Sequence, residues 1–222
     1  MSEHAIHTHF PGRLIFIGFG SIGQGVLPLI LRHVGGLAAE RITIVTADDA
    51  GREEAGTFGI KFINHPLTRE NFRHVLDPLV GRGDFVLNLS VDVSSIALIK
   101  LCHEQGALYL DTCIEPWPGG YTDSNIPASR RTNYALREEV LELRKAWSNG
   151  PTAVITHGAN PGLVSHFVKQ ALLDIAAGCG RDPGDPKSRE DWATLAKDLG
   201  VKVIHIAERD TQVSNRPKMP GE

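Results

Sequence analysis

A chain of 222 residues, 41% apolar and with a formal net charge of −3, has room for one large domain, or for one domain and part of a second. The near-neutral balance offers no basic run for nucleic acid, and the longest apolar runs, such as residues 14–19, are far too short to cross a bilayer. Three cysteines without CxxC spacing argue against a disulfide framework and a zinc site, and Met1-Ser2-Glu3-His4 opens no secretion signal. The expectation is a cytoplasmic chain with neither a membrane nor a nucleic-acid partner.

Residues 14–17 are apolar throughout, as a strand buried on both faces would be. Past the glycines that follow, Val26, Leu27, Ile30 and Leu31 recur at helical spacing, Pro28 sits near the helix start, and Gly35-Gly36 ends it. Residues 42–45 form a β-branched strand and 61–63 a weaker one. Thr68 is the expected N-cap of a helix running to about residue 80. A strand at 85–89, a helix at 94–105 stopped by Gly106, and a strand at 107–110 come next. A Pro/Gly-rich excursion at 115–127 precedes a long helix at 134–147 and a sixth strand at 153–155. Beyond Gly162 the pattern changes to a helix at 163–177, a Gly/Pro/Asp-rich linker, a helix at 191–199 and a strand at 201–206.

Strands alternating with helices imply parallel strands and right-handed crossovers, hence an α/β, doubly wound Rossmann-type parallel sheet. The expected organisation is a nucleotide-binding domain over residues 1–160. The start of a second, α+β domain follows over 161–222.

Gly18-Phe19-Gly20-Ser21-Ile22-Gly23 follows an apolar strand and opens a helix, which is the context a dinucleotide-binding glycine turn requires. Gly18 permits the turn, Gly20 admits a pyrophosphate, Gly23 lets helix and strand pack, and the helix N-terminus supplies N–H donors. Asp48, at the end of the second strand, is placed to accept hydrogen bonds from the adenosine ribose. It favours NAD over NADP, with Arg52 close by. Ser90-Val91-Asp92, Asp111-Thr112-Cys113 and His157-Gly158-Ala159-Asn160 are polar strand ends where ligands of open α/β sheets sit.

Two readings stay open for Glu115-Pro116-Trp117-Pro118-Gly119-Gly120-Tyr121. It is either an aromatic loop that holds an ammonium by charge and ring face, or a stiff loop whose Trp covers apolar surface. Cys113 has no evident base partner and reads as a small buried residue. Glu208 either binds an amine or is a solvated acid. None of the ten histidines has metal-site spacing, so no metal is expected.

Together these residues resemble the bacterial homospermidine synthases, within the saccharopine dehydrogenase-like group, along nearly the whole chain. The most specific stretches are Asp111-Thr112-Cys113-Ile114-Glu115-Pro116-Trp117 and Gly158-Ala159-Asn160-Pro161-Gly162. Residues 13–25, 42–52 and 201–211 support them. The resemblance implies a polyamine-forming transferase in which two putrescines give homospermidine and ammonia through imines, with NAD recycled as hydride carrier. It implies cofactor contacts from Gly20, Ser21, Ile22, Gly23, Asp48, Ser90, Asp111, Thr112 and Asn160, with Gly18 shaping the turn. It places Asn160 and Glu208 at the chemistry, with Glu208 an amine-binding carboxylate; Asp92, Glu115 and Trp117, from the strand end and aromatic loop above, are the other candidates for the diamine. Family members are longer, so residues 161–222 would begin a catalytic and dimerisation domain cut short here, and a complete one would make a homodimer.

Two other functions compete. A carboxynorspermidine or saccharopine-type reductase would need a cation near Asn160 to clamp a carboxylate. A non-catalytic NAD-binding module would expose an apolar surface on residues 163–173.

Overall fold

The computed structural model describes residues 4–209. The chain divides between Gly162 and Leu163 into two compact units.

The first unit is built on a six-stranded parallel sheet. In chain order its elements are β1 (Leu14–Ile17), α1 (Ser21–His33), β2 (Ile42–Thr46), α2 (Arg52–Thr57), β3 (Lys61–Asn64) and α3 (Phe72–Leu76). Then come β4 (Phe85–Asn88), α4 (Ser95–Gln105), β5 (Leu108–Asp111), α5 (Asn133–Ala146) and β6 (Ala153–Val154). The strand order is β3-β2-β1-β4-β5-β6, so the winding reverses between β1 and β4.

β1 lies at the centre of the sheet and is buried along its whole length. Alternation along it sends Ile15 and Ile17 to one face, with Val86, Leu98, Leu101 and Tyr109. Leu14 and Phe16 go to the other, with Leu27, Ile44 and Leu87. Each large side chain buried this way contributes roughly 1.5–3 kcal/mol. Phe16 and Phe19 meet edge to face at 5.7 Å, and Phe19 meets Phe62 in the same way, which fixes the turn after β1 against the core.

The doubly wound sheet follows the sequence expectation, with differences that have local causes. The helix expected from residue 68 is shorter. The Thr68 hydroxyl accepts from the N–H groups of Glu70 and Asn71, and that turn competes with helix until Phe72. Pro28 lies about two turns into α1 rather than near its start. Short α2 and a two-residue parallel pairing of Thr8–His9 with Val34–Gly35 are additions that propensity alone does not reveal.

The second unit contains α6 (Leu163–Gly178) and α7 (Arg189–Asp198), the latter opened by a Ser188–Asp191 capping box. Residues 201–206 are not a strand. The apolar alternation is there, but this unit offers no strand to pair with among the described residues, and Val203, Ile204 and Ile206 are exposed. Asp210 and Thr211, part of the motif noted above, lie outside the described residues. No helix among them is long and apolar enough to cross a membrane.

Asp84 ties the start of β1 to the start of β4. Its buried carboxylate accepts from the Arg13 N–H at 2.9 Å, from Arg13 Nη2 at 2.6 Å and from the Gly81 N–H at 2.8 Å. Asp84→Ala strands these donors, while half-exposed Arg13 regains water, so the expected loss is about 2 kcal/mol. Urea unfolding measures it; a change under about 0.5 kcal/mol would remove Asp84 from this role.

Candidate functional site

A cleft of about 440 Å³ opens at the carboxyl ends of β1, β2 and β4, where the strand order reverses. Its walls include Gly18, Gly20, Thr46, Asp48, Ser90 and Asp92.

Gly18 sets its shape. The backbone there has φ +82°, and a Cβ would lie 2.8 Å from the Ser90 Cα and N, so only glycine lets the turn pass this close to the chain after β4. At Gly23 a Cβ would lie 2.8 Å from Cδ2 of Phe19, a buried ring held by Phe16 and Phe62. The close packing expected of Gly23 is therefore against Phe19. Around Gly20 a Cβ would meet nothing within 4 Å, leaving open space over the turn. Gly20 caps α1 without a side chain and the first turn carries no acid, so the donors of Ser21, Ile22 and Gly23 face that space without a competing charge. Such a terminus fits a pyrophosphate.

Asp48 is exposed at the cleft wall, and its Oδ1 accepts the Ala50 N–H at 2.9 Å. Arg52 is engaged elsewhere, pairing with Asp49 at 2.5 Å and stacking 4.6 Å over Phe62.

Beneath the cleft a buried polar chain joins three strand ends. The Ser90 hydroxyl donates to Asn88 Oδ1 at 2.6 Å, and Asn88 Nδ2 donates to the Tyr109 hydroxyl at 3.1 Å. Tyr109 donates to Asp111 Oδ2 at 2.9 Å, and the Asp111 carboxylate accepts the Thr156 N–H at 2.5 Å. Asp111, expected to touch a cofactor, is wholly buried here and acts by holding Thr156 and, through its carbonyl, the N–H of His157. That fixes the approach to the 158–162 turn, where Asn160 is exposed. Thr112 is half-buried, its carbonyl packed on Gly158.

Beside this chain lies a negatively charged group of side chains. Glu115 has its carboxyl raised from 4.5, first by burial and then by Asp92 and Asp111, partly offset by the nearby Cys113 thiol and Asp92 N–H. Burial, followed by Glu115 and then Asp111, pushes the Cys113 thiol up to about 11; burial, followed by Glu115, Cys113 and Asp111, pushes the Tyr121 hydroxyl up to about 12. Cys113 is thus a protonated thiol and no nucleophile. Arg131 Nη1 donates to the Tyr121 carbonyl at 3.3 Å, but among the described residues no basic side chain contributes to the raised values of Glu115, Cys113 and Tyr121. Asp92 (φ 63°) and Thr156 (φ 58°), both non-glycine, hold left-handed backbone at the edges of this group.

Trp117 departs from the ammonium-binding reading. The residue is 9% exposed and its ring packs on Phe72 at 5.4 Å, which makes it core. Glu208 belongs to the second unit, where it is exposed. Sequence reasoning missed His65, Pro66 and Leu67 in the cleft wall; they directly follow β3, so the strand-end rule that found Ser90 applies to them too.

The Saccharopine dehydrogenase NADP binding domain family matches residues 14–154. Homospermidine synthase of Blastochloris viridis is 48% identical over 98% of this chain and 46% of its own length. That of Mesorhizobium japonicum is 44% identical over 96% of this chain and 45% of its own. The crystal structure of a homospermidine synthase from Legionella pneumophila in complex with NAD superposes with a TM-score of 0.78 at 42% identity, over 96% of this chain and 44% of that one. The chain therefore spans just under half the length of these relatives.

Because burial and like charge raise the Glu115 carboxyl, the folded state holds its proton more tightly than the unfolded state does. The stabilisation is present below pH 4.5 and is lost as pH rises through the raised value. Glu115→Gln removes that slope. Chemical unfolding from pH 4 to 7 is expected to show variant and parent converging in acid, with the variant more stable near neutrality. A variant less stable at neutral pH would mean that Glu115 has a basic partner.

Proposed function

The chain belongs to the saccharopine dehydrogenase NADP-binding domain family, and from that premise we propose that it binds NAD(H) in the cleft and takes part in homospermidine synthesis from two putrescines. The observation that carries this reading is the carboxylate group Asp92, Asp111 and Glu115, which adjoins the cleft through Asp92 and, among the described residues, has no basic side chain paired with it. A diamine supplies the missing charge. A carboxylate-bearing substrate, which the reductase alternative requires, would meet repulsion there.

The residues fit the cofactor. The Ser21, Ile22 and Gly23 N–H groups would take the pyrophosphate, Asp48 the adenosine ribose, and Ser90, Thr112 and Asn160 the nicotinamide side, with Asp111 supporting from below. Bound NAD supplies a hydride acceptor that returns the hydride later in the same turnover. Asp92 and Glu115 bind one ammonium of putrescine, while Glu115, its carboxyl raised, is suited to take a proton from the reacting amine. Loss of a hydride from the carbon bearing that amine leaves an imine. A second putrescine adds to its carbon, ammonia departs, and the returned hydride completes homospermidine. Pro118, which lines the cleft, would help to limit water at the imine. By the resemblance, Asn160 stands between cofactor and substrate, and Glu208 is a further amine-binding carboxylate. A cytoplasmic location and a homodimer go with this reading.

A second reading, an NAD-binding module without chemistry, draws on the exposed Leu163 and Phe167 of α6. Incubation of the chain with putrescine and NAD+, followed by mass spectrometry, separates the two. Homospermidine with ammonia is the expected product. Tight NAD binding without product would favour the module.

A further inference from the structure

Arg52 opens α2, four residues beyond the cleft-lining Asp48, and its side-chain hydrogen bonds go to Asp49, which does not line the cleft. Its Nε and Nη2 donate to Asp49 Oδ1 at 2.8 and 2.5 Å, and its guanidinium lies 4.6 Å over the Phe62 ring. Asn64 Nδ2 donates to the same oxygen at 3.0 Å, which pins Asp49 to the end of β3. Arg52 and Asn64 together hold the Asp49 carboxyl below its ordinary range, so the pair is charged at neutral pH.

We infer that Asp49 is a specificity-determining positioning residue: it holds Arg52 on Phe62 and so denies a cation to the 2′-phosphate that distinguishes NADP from NAD. The inference rests on the cofactor reading above. An arginine in the loop or helix start just beyond the second strand can serve as partner of a 2′-phosphate, a group of charge about −1.5 to −2 at neutral pH. Here that arginine exists in the sequence, but the fold has assigned it to Asp49. Asp48 accepts from ribose hydroxyls in NAD, while Asp49 both repels a phosphate and occupies its counter-ion. Discrimination against NADP thus comes from two adjacent carboxylates with different tasks, and the second acts through Arg52.

Asp49→Ala frees the guanidinium without touching Asp48 or the glycine turn. Equilibrium titration of the full chain with NAD+ and NADP+ is expected to show NADP+ affinity rising about tenfold, the scale of one charge-assisted hydrogen bond, with NAD+ affinity unchanged within about threefold. The double variant Asp49→Ala/Arg52→Ala is expected to lose most of that gain. An unchanged NADP+/NAD+ ratio in the single variant would overturn the inference. So would a gain that persists in full in the double variant, since charge removal alone would then explain it. Absence of NAD+ binding by the unsubstituted chain would instead remove the cofactor reading, and this inference with it.

Discussion

At Gly18 the backbone leaving β1 comes so close to the chain leaving β4 that a single methyl group has no room. The rest of the site depends on that approach. It brings the N-terminus of α1 over the point where the strand order reverses, and it puts Ser90 against the turn. Phe19 is then driven inward, where its ring closes on Phe16 and Phe62 and blocks any larger residue at Gly23. Hydrophobic burial fixes the turn from below, and steric exclusion fixes it from the side. What remains above is open space with helix N–H donors facing it.

The second constraint is electrostatic. Buried polar groups must find partners, and Asn88, Tyr109 and Asp111 do so with one another across β4 and β5, extending to Thr156 at the end of β6. A satisfied network of this kind is rigid, so the ends of three strands hold a common geometry. The carboxylates around Glu115 are different. They raise neighbouring groups and one another, and among the described residues no basic side chain pairs with them. A fold that keeps such an arrangement loses stability by it, which is the usual relation between a preorganised site and the scaffold that carries it.

The sheet was legible in the sequence because a parallel strand buried on both faces leaves a short apolar run, and residues 14–17, 42–46 and 85–88 each do. Strand ends were legible for the same reason, since polar residues resume where burial stops; Asp48, Ser90 and Asp92 were found that way. The roles of Asp111 and Trp117 were not. Asp111 faces inward because β4–β5 register sets Asn88 beside it, and register is invisible in a single chain. Trp117 lies in core because Phe72 is there to receive it, a contact 45 positions distant. The stretch at residues 201–206 shows the converse case, a strand pattern without a strand, since pairing requires a neighbour.

The central claim is that the cleft at β1 and β4 holds a dinucleotide through the turn at Gly18. Titration of the isotopically labelled chain with NAD+, followed by backbone amide NMR, tests it most directly. The account expects saturable shifts concentrated on Gly18, Gly20, Ser21, Ile22 and Gly23, on Asp48 and on Ser90, with the far edge of the sheet at Ala153 and Val154 unmoved. Binding with shifts centred away from the glycine turn, or no binding at all, would contradict it.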